Sequence, residues 1–403
     1  MWSRRPSLLL AAVVLTAALV GCSDGDGDGD GDGDGPRAAA ASPDVVHALE
    51  RALDARARLV RRADAAAFAR LVGGGAGFRE RQATWFGNLT RLPVAHLSYR
   101  LDPGTLVREG DTYRVSVTES LQLEGYDAAP VASEGRYRFV PVPGHPGRFR
   151  LTALVEADPQ PWDDGPVEVR EGDGVLGIFD ADSVDRAPEL IASVEAGIAT
   201  VSGQVPYDWP REVVVYALSD PAFLDGLEDA PGGDPDRLDA VAFPAGDGTR
   251  IVLNPRVVER PGRARDRLVR HELVHVALGT RDDAVPVWLS EGLAEYVSVR
   301  PLAPEDRRIP EAAVAAAEAG ADDLPDDATF NDDDSQAHYG LAWWAVEYLA
   351  DAYGEDAPWQ LLDALAEPGA DPDAVLRDRF GTGTRELARQ ADRQILAVYE
   401  AAG

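Results

Sequence analysis

The chain contains no lysine, and in 403 residues it has one cysteine, Cys22. All 39 basic residues are therefore arginine, which points to a coding sequence rich in G and C. A single cysteine excludes an internal disulfide. Positive charge is scarce as well: 70 carboxylates leave a formal net charge of −31, which argues against nucleic acid or anionic lipid headgroups as partners and favours solubility. The apolar run LLLAAVVLTAALV at 8–20 is too short to span a bilayer. What the sequence does have is 45% hydrophobic residues on a chain long enough for two cores.

Arg4 and Arg5 precede that run, the pattern of a cleaved signal peptide. The run ends in LVGC at 19–22 and resembles a bacterial lipoprotein signal. The resemblance implies cleavage before Cys22 and lipid on its thiol and new amino terminus, so that residues 1–22 are a signal and the protein is extracytoplasmic and lipid-anchored. Each methylene buried in the membrane would contribute ~0.8 kcal/mol to that anchoring. The paired arginines in SRRPSL leave open whether export is of an unfolded or an already folded chain. Residues 23–43, with alternating Asp and Gly, cannot bury a core and read as a flexible tether. They lack the closing glutamate of a calcium loop.

From 45 to 72 apolar residues recur at three and four, predicting an amphipathic helix stopped by the glycines at 73–75. Downstream the period becomes two, predicting strands at 94–102, 112–125, 134–142 and 147–157. Helix followed by an antiparallel meander is an α+β unit with one covered sheet face. In element order, residues 44–158 resemble the nuclear-transport-factor-two-like cone. His47, His96 and His145 share no spacing and read as surface or half-buried side chains.

The proline-rich stretch at 157–166 is the expected boundary, with a second domain at 165–403. That domain reads as a small mixed sheet followed by helices: a strand pair near 167–179, a helix near 183–205, a strand near 211–218, an acidic loop at 228–239, and a hairpin of 240–244 with 249–255. Sheet first and helices after is the order of a zincin protease.

VRHELVHVALG at 269–279 sets His271 and His275 four residues apart on one helical face, so both imidazoles can reach one ion ~2.0–2.1 Å away. Glu272 projects beside them, where a base is needed. PVWLSEGLAEYVSV at 286–299 supplies Glu291 and, one turn later, Glu295. This segment resembles the corresponding helix of gluzincin metallopeptidases, the superfamily of thermolysin and the aminopeptidases. The resemblance implies one zinc ion per chain on His271, His275 and Glu291, with Glu295 fixing a zinc-bound histidine by a hydrogen bond. Glu272 would take a proton from a zinc-activated water attacking a peptide carbonyl and pass it to the departing amine.

The tetrahedral oxyanion usually needs a second donor. QAHYGLAWWAVEYLADAYG at 336–354 resembles the next helix of small exported members of the superfamily, and it offers Tyr339, with His338 as the alternative. TRIVLNP at 249–255 stands where the family's edge strand does and would by that resemblance pair with an extended substrate. Trp343, Trp344 and Tyr348 fit a core at helical spacing. The expected activity is thus a membrane-anchored zinc peptidase, tilted toward endopeptidase, acting on peptide or protein. A non-catalytic zinc-containing binding lipoprotein and a zinc hydrolase of other amides or esters are the alternatives.

Overall fold

Helix α1 (Pro43–Arg61) begins with proline in its first turn, where a missing N–H costs nothing, and buries Leu49, Leu53, Ala57 and Val60 at helical spacing. The protein is described from a computed structural model that covers residues 42–157, 159–221, 223, 239–246, 248–260 and 262–399. Cys22, residues 23–41 of the acidic tether and nearly all of the acidic loop at 228–239 lie outside these residues; Ser42 and Pro43, read as the end of the tether, cap and open α1. The helix expected to run to residue 72 breaks early. Ala63 adopts φ 50°, and Asp64 caps a new short helix, α2 (Ala65–Ala69), by accepting from the Ala67 N–H at 2.9 Å. A third helix not expected from the sequence, α3 (Ala76–Leu89), follows the glycines.

The first sheet is antiparallel: β1 (Val94–Leu101), β2 (Val107–Glu109), β3 (Thr112–Leu123), β4 (Val131–Pro141) and β5 (Phe149–Glu156). Its order is β1-β3-β4-β5, with β2 pairing on β3. β4 alternates buried and exposed residues, so the period-two reading holds. α1 packs on β1 and β5 and covers the inner face.

Of the segment at 157–166, residues 162–165 are pinned. Asn88 on α3, 1% exposed, donates to the carbonyls of Trp162 at 2.9 Å and Gly165 at 2.7 Å and accepts from the Val167 N–H at 3.1 Å. A short helix α4 (Pro161–Asp164) lies within it, and its Trp162 meets Tyr216 edge-on at 6.2 Å.

The second sheet comprises β6 (Glu168–Gly172), β7 (Val175–Phe179), β8 (Val213–Ala217), β9 (Ala240–Ala245) and β10 (Gly248–Leu253), in the order β6-β7-β8-β10-β9. Helix α5 (Ala187–Ser202) makes the crossover between the parallel strands β7 and β8. β10 is parallel to β8, while β6 and β9 are antiparallel edges. The expected edge strand at 249–255 is therefore interior, and the edge beyond it is β9. A parallel crossover seats β10 beside β8, which local sequence pattern does not reveal.

Short α6 (Pro255–Val258) leads into α7 (Gly262–Leu278), α8 (Val287–Val299), α9 (Glu311–Ala319), α10 (Ser335–Tyr353), α11 (Ala357–Leu365), α12 (Pro372–Phe380) and α13 (Thr384–Tyr399). Val175, Phe179, Val213, Val215, Ile251 and Leu253 share a core with α5, α7 and α8. Leu176, Ile178, Val214, Tyr216, Val241 and Val252 instead join the core of residues 48–151. The second sheet is thus covered on both faces, and all described residues fall in one compact unit. The class is α+β. Among the described residues no helix is long and apolar enough to cross a membrane.

Candidate metal centre

α7 is anchored by Val269, Leu273, Val274 and Ala277, all 3% exposed or less, and it carries His271 and Glu272 into the interior at 7% and 6%. It ends at Gly279, whose φ of 56° turns the chain back in the manner of a left-handed cap. α8 follows, its Val287 N–H capped by Asp327 at 2.9 Å. Glycine after Glu291 has a packing cause: a methyl group on Gly292 would stand 2.5 Å from the carbonyl oxygen of Ala342 on α10. That close approach of α10 to α8 brings Tyr339 over the histidines.

His271 Nε2 and Glu291 Oε2 are 3.1 Å apart. His275 Nε2 lies 3.5 Å from the same oxygen and 3.3 Å from His271 Nε2. Ligand atoms ~2.0–2.1 Å from one tetrahedral centre stand about 3.3 Å from one another. The three side chains therefore form a group that could hold one metal ion.

The outward nitrogens are held too. His271 Nδ1 is 3.3 Å from Glu295 Oε1, and Arg267 Nη2 donates to the other oxygen of that carboxylate. His275 Nδ1 is 3.1 Å from both oxygens of Asp282, which also accepts from the Ser290 hydroxyl. The carboxylate on His275 Nδ1 favours the orientation that points Nε2 at a metal once the ring is neutral, and Glu295 is the carboxylate that faces His271 Nδ1.

The electrostatics agree with that arrangement. Burial opposes a charge on His271, but Glu291 and Glu295 outweigh it and lift the imidazolium to about 10. His275 is raised in the same way against burial by Asp282 and Glu291. Burial would raise Glu291 and Glu295, yet the imidazoles hold both well below the usual carboxylate range, with Arg267 helping at Glu295. The cluster is short of positive charge, which is what a divalent cation supplies.

Glu272 is pushed up by burial and held back by the two imidazoles and by a hydrogen bond from the Ala242 N–H of β9. Tyr339 is driven well above its ordinary value by burial and by Glu291, Glu272 and Glu295, so it stays a proton-bearing donor. Its ring centroid is 6.1 Å from that of His271, and its hydroxyl bonds to Glu291. His338 is engaged elsewhere, with Nδ1 2.9 Å from the Phe330 carbonyl and 3.8 Å from Asp332.

Of the sequence candidates, the fold gathers His271, Glu272, His275, Glu291, Glu295 and Tyr339. His47, His96 and His145 are exposed, as their spacing suggested. Sequence reasoning missed Asp282, Ser290, Arg267 and the Ala242 N–H. A signal for the first existed: if one metal histidine needs a carboxylate on its second nitrogen, so does the other, and Asp282 and Asp283 follow His275 directly after the helix. No protein-family model and no curated protein matches the chain.

Proposed function

We propose that this chain is a zinc-dependent metallopeptidase of gluzincin type, extracytoplasmic and held at a membrane by lipid on Cys22. The observation that carries the reading is the spacing of three ligand atoms at 3.1, 3.3 and 3.5 Å on a buried helix pair, with Glu272 beside them. Two imidazoles and one carboxylate are the donor set of a catalytic zinc, which leaves a coordination position open. Bound there, zinc would acidify water and polarise a carbonyl.

The rest of the chemistry belongs to the chain. Glu272, buried beside the two imidazoles, takes the proton from the attacking water and delivers it to the departing amine. Tyr339, kept protonated, donates to the oxyanion that develops on the substrate carbonyl. An extended peptide lies along the outer edge of β9, which among the described residues pairs with β10 alone, and adds to the sheet by backbone hydrogen bonds.

The test is to incubate the chain from Pro43 onward, loaded with zinc, with an unstructured peptide library, with and without chelator, and to sequence the products. Chelator-sensitive cuts are expected. Zinc-loaded protein that makes none would remove the peptidase reading in favour of a binding protein or of hydrolysis at a non-peptide amide or ester.

A further inference from the structure

The side of the second sheet remote from the helices carries a buried ion pair that the chemistry above does not use. Arg250 on β10 donates to Asp127, in the turn after β3, and the two side chains are 4% and 3% exposed. Asp127 is itself fixed: its other oxygen accepts from the Leu123 N–H at 2.7 Å, and Gln122 donates to its carbonyl at 3.0 Å. Two close approaches lie beside this pair, at Gly246 and Gly248. A methyl group on Gly246 would stand 3.1 Å from Val131 Cγ2, and one on Gly248 would stand 3.7 Å from the Tyr126 carbonyl oxygen. Through residues 126–131 the first half of the chain therefore meets the hairpin in the Asp127–Arg250 ion pair and comes close to it at Gly246 and Gly248.

The hairpin's other end reaches the site. Arg250 pairs with Phe243 across the ladder and Ile251 with Ala242, and β9 packs against the metal helix α7. A buried ion pair is a weak source of stability, because both charges lose their water, but it is a strong selector of one arrangement. In a strand, a slip of one residue moves every side chain to the opposite face. Arg250 can meet Asp127 in only one of those registers, and that register is the one in which β9 lies against the metal helix.

We propose that Asp127 and Arg250 are positioning residues, which with Tyr126 and Val131 clamp the β9–β10 hairpin in register over the metal helix and so shape the edge that receives the substrate. The first half of the chain is then part of the substrate-binding machinery and not a spacer. The effect on substrate rests on the peptidase reading; the clamp itself does not.

The experiment takes the zinc-loaded chain from Pro43 onward and its Asp127→Asn variant, which keeps the shape and the acceptor for Leu123 while removing the charge. Amide hydrogen exchange is read across residues 240–253 and 262–299, and kcat and KM are measured on one unstructured peptide. The clamp predicts exchange in 240–253 faster by about tenfold with 262–299 unchanged, and KM raised by about tenfold with kcat within about threefold, the pattern of lost ground-state binding. Val131→Ala, which trims the close approach at Gly246 without burying an unpaired charge, serves should Asp127→Asn not fold; it predicts the same pattern at about threefold. Unchanged exchange at 240–253 overturns the clamp. Faster exchange with kcat lowered and KM intact, as expected of a smaller folded fraction, overturns its role toward substrate. If no variant and no wild-type protein makes a chelator-sensitive cut, the peptidase reading fails separately, and the exchange result alone decides the clamp.

Discussion

The two sheets differ in what covers them. Along β4 buried and exposed residues alternate, whereas β7 and β8 are buried at every position. The first sheet keeps a face toward solvent, where Val155 is 66% exposed. The second has helices on one side and, on the other, the core built by α1, α3 and the first sheet. An unbroken apolar strand therefore states that both faces are covered, but not by what. Here half of the cover comes from sequence far upstream, so the site rests on a sheet that the second half of the chain cannot bury alone.

The hardest test of that difference is removal of the first half. A chain beginning at Pro166 would expose Leu176, Ile178, Val214, Tyr216, Val241 and Val252, each worth roughly 1.5–3 kcal/mol when buried. It should be recovered as aggregate, and a soluble monomer with native circular dichroism would break the comparison. Next in size is one substitution made on both sheets. Val214→Asp places a charge at a position that is 0% exposed and should cost more than about 4 kcal/mol in urea unfolding. Val155→Asp should stay within about 0.5 kcal/mol of wild type; equal losses would contradict the assignment of open and closed faces.

On the helical side, Asp282→Asn should weaken metal affinity by about 10–100-fold, measured by chelator competition, because it loosens the hold on His275 Nδ1. Unchanged affinity would remove Asp282 from the site. The smallest effect concerns Glu347 on α10, raised chiefly by burial although Trp343 Nε1 donates to it at 3.1 Å. A carboxyl raised in the folded state contributes stability that is full below its unfolded pKa and is lost as pH rises through the folded value. Glu347→Gln keeps the acceptor for Trp343. Its stability relative to wild type should rise from pH 4 to pH 8, and a fall over that window would reverse the assigned direction.

The zinc-type motif was legible because it is local. Four-residue spacing on a helix fixes that His271 and His275 share a face, and the same spacing relates Glu291 to Glu295. Asp282 was not legible from helical periodicity, because its return to His275 depends on Gly279 and on the turn at 279–284; only the need of a second histidine for a carboxylate pointed to it. The position of β9 as the edge depends on a parallel crossover, a long-range fact, so the neighbouring strand was taken for it. α3 is weakly marked in the sequence because its buried face, Phe78, Gln82, Trp85, Phe86 and Leu89 at helical spacing, has polar Gln82 in the stripe, and Gly87 stands within the helix. The break after Arg61 does carry a readable sign in Asp64, a helix cap in the middle of an apparently continuous pattern.

The most direct measurement compares zinc-loaded wild type with Glu272→Gln, recording zinc per chain and the rate of peptide cleavage on the same preparations. The account predicts one zinc ion in each, chelator-sensitive cleavage by wild type, and a rate lower by about 10²–10⁴-fold in the variant, the contribution of a positioned base. Wild-type turnover by a fully zinc-loaded Glu272→Gln protein would contradict it.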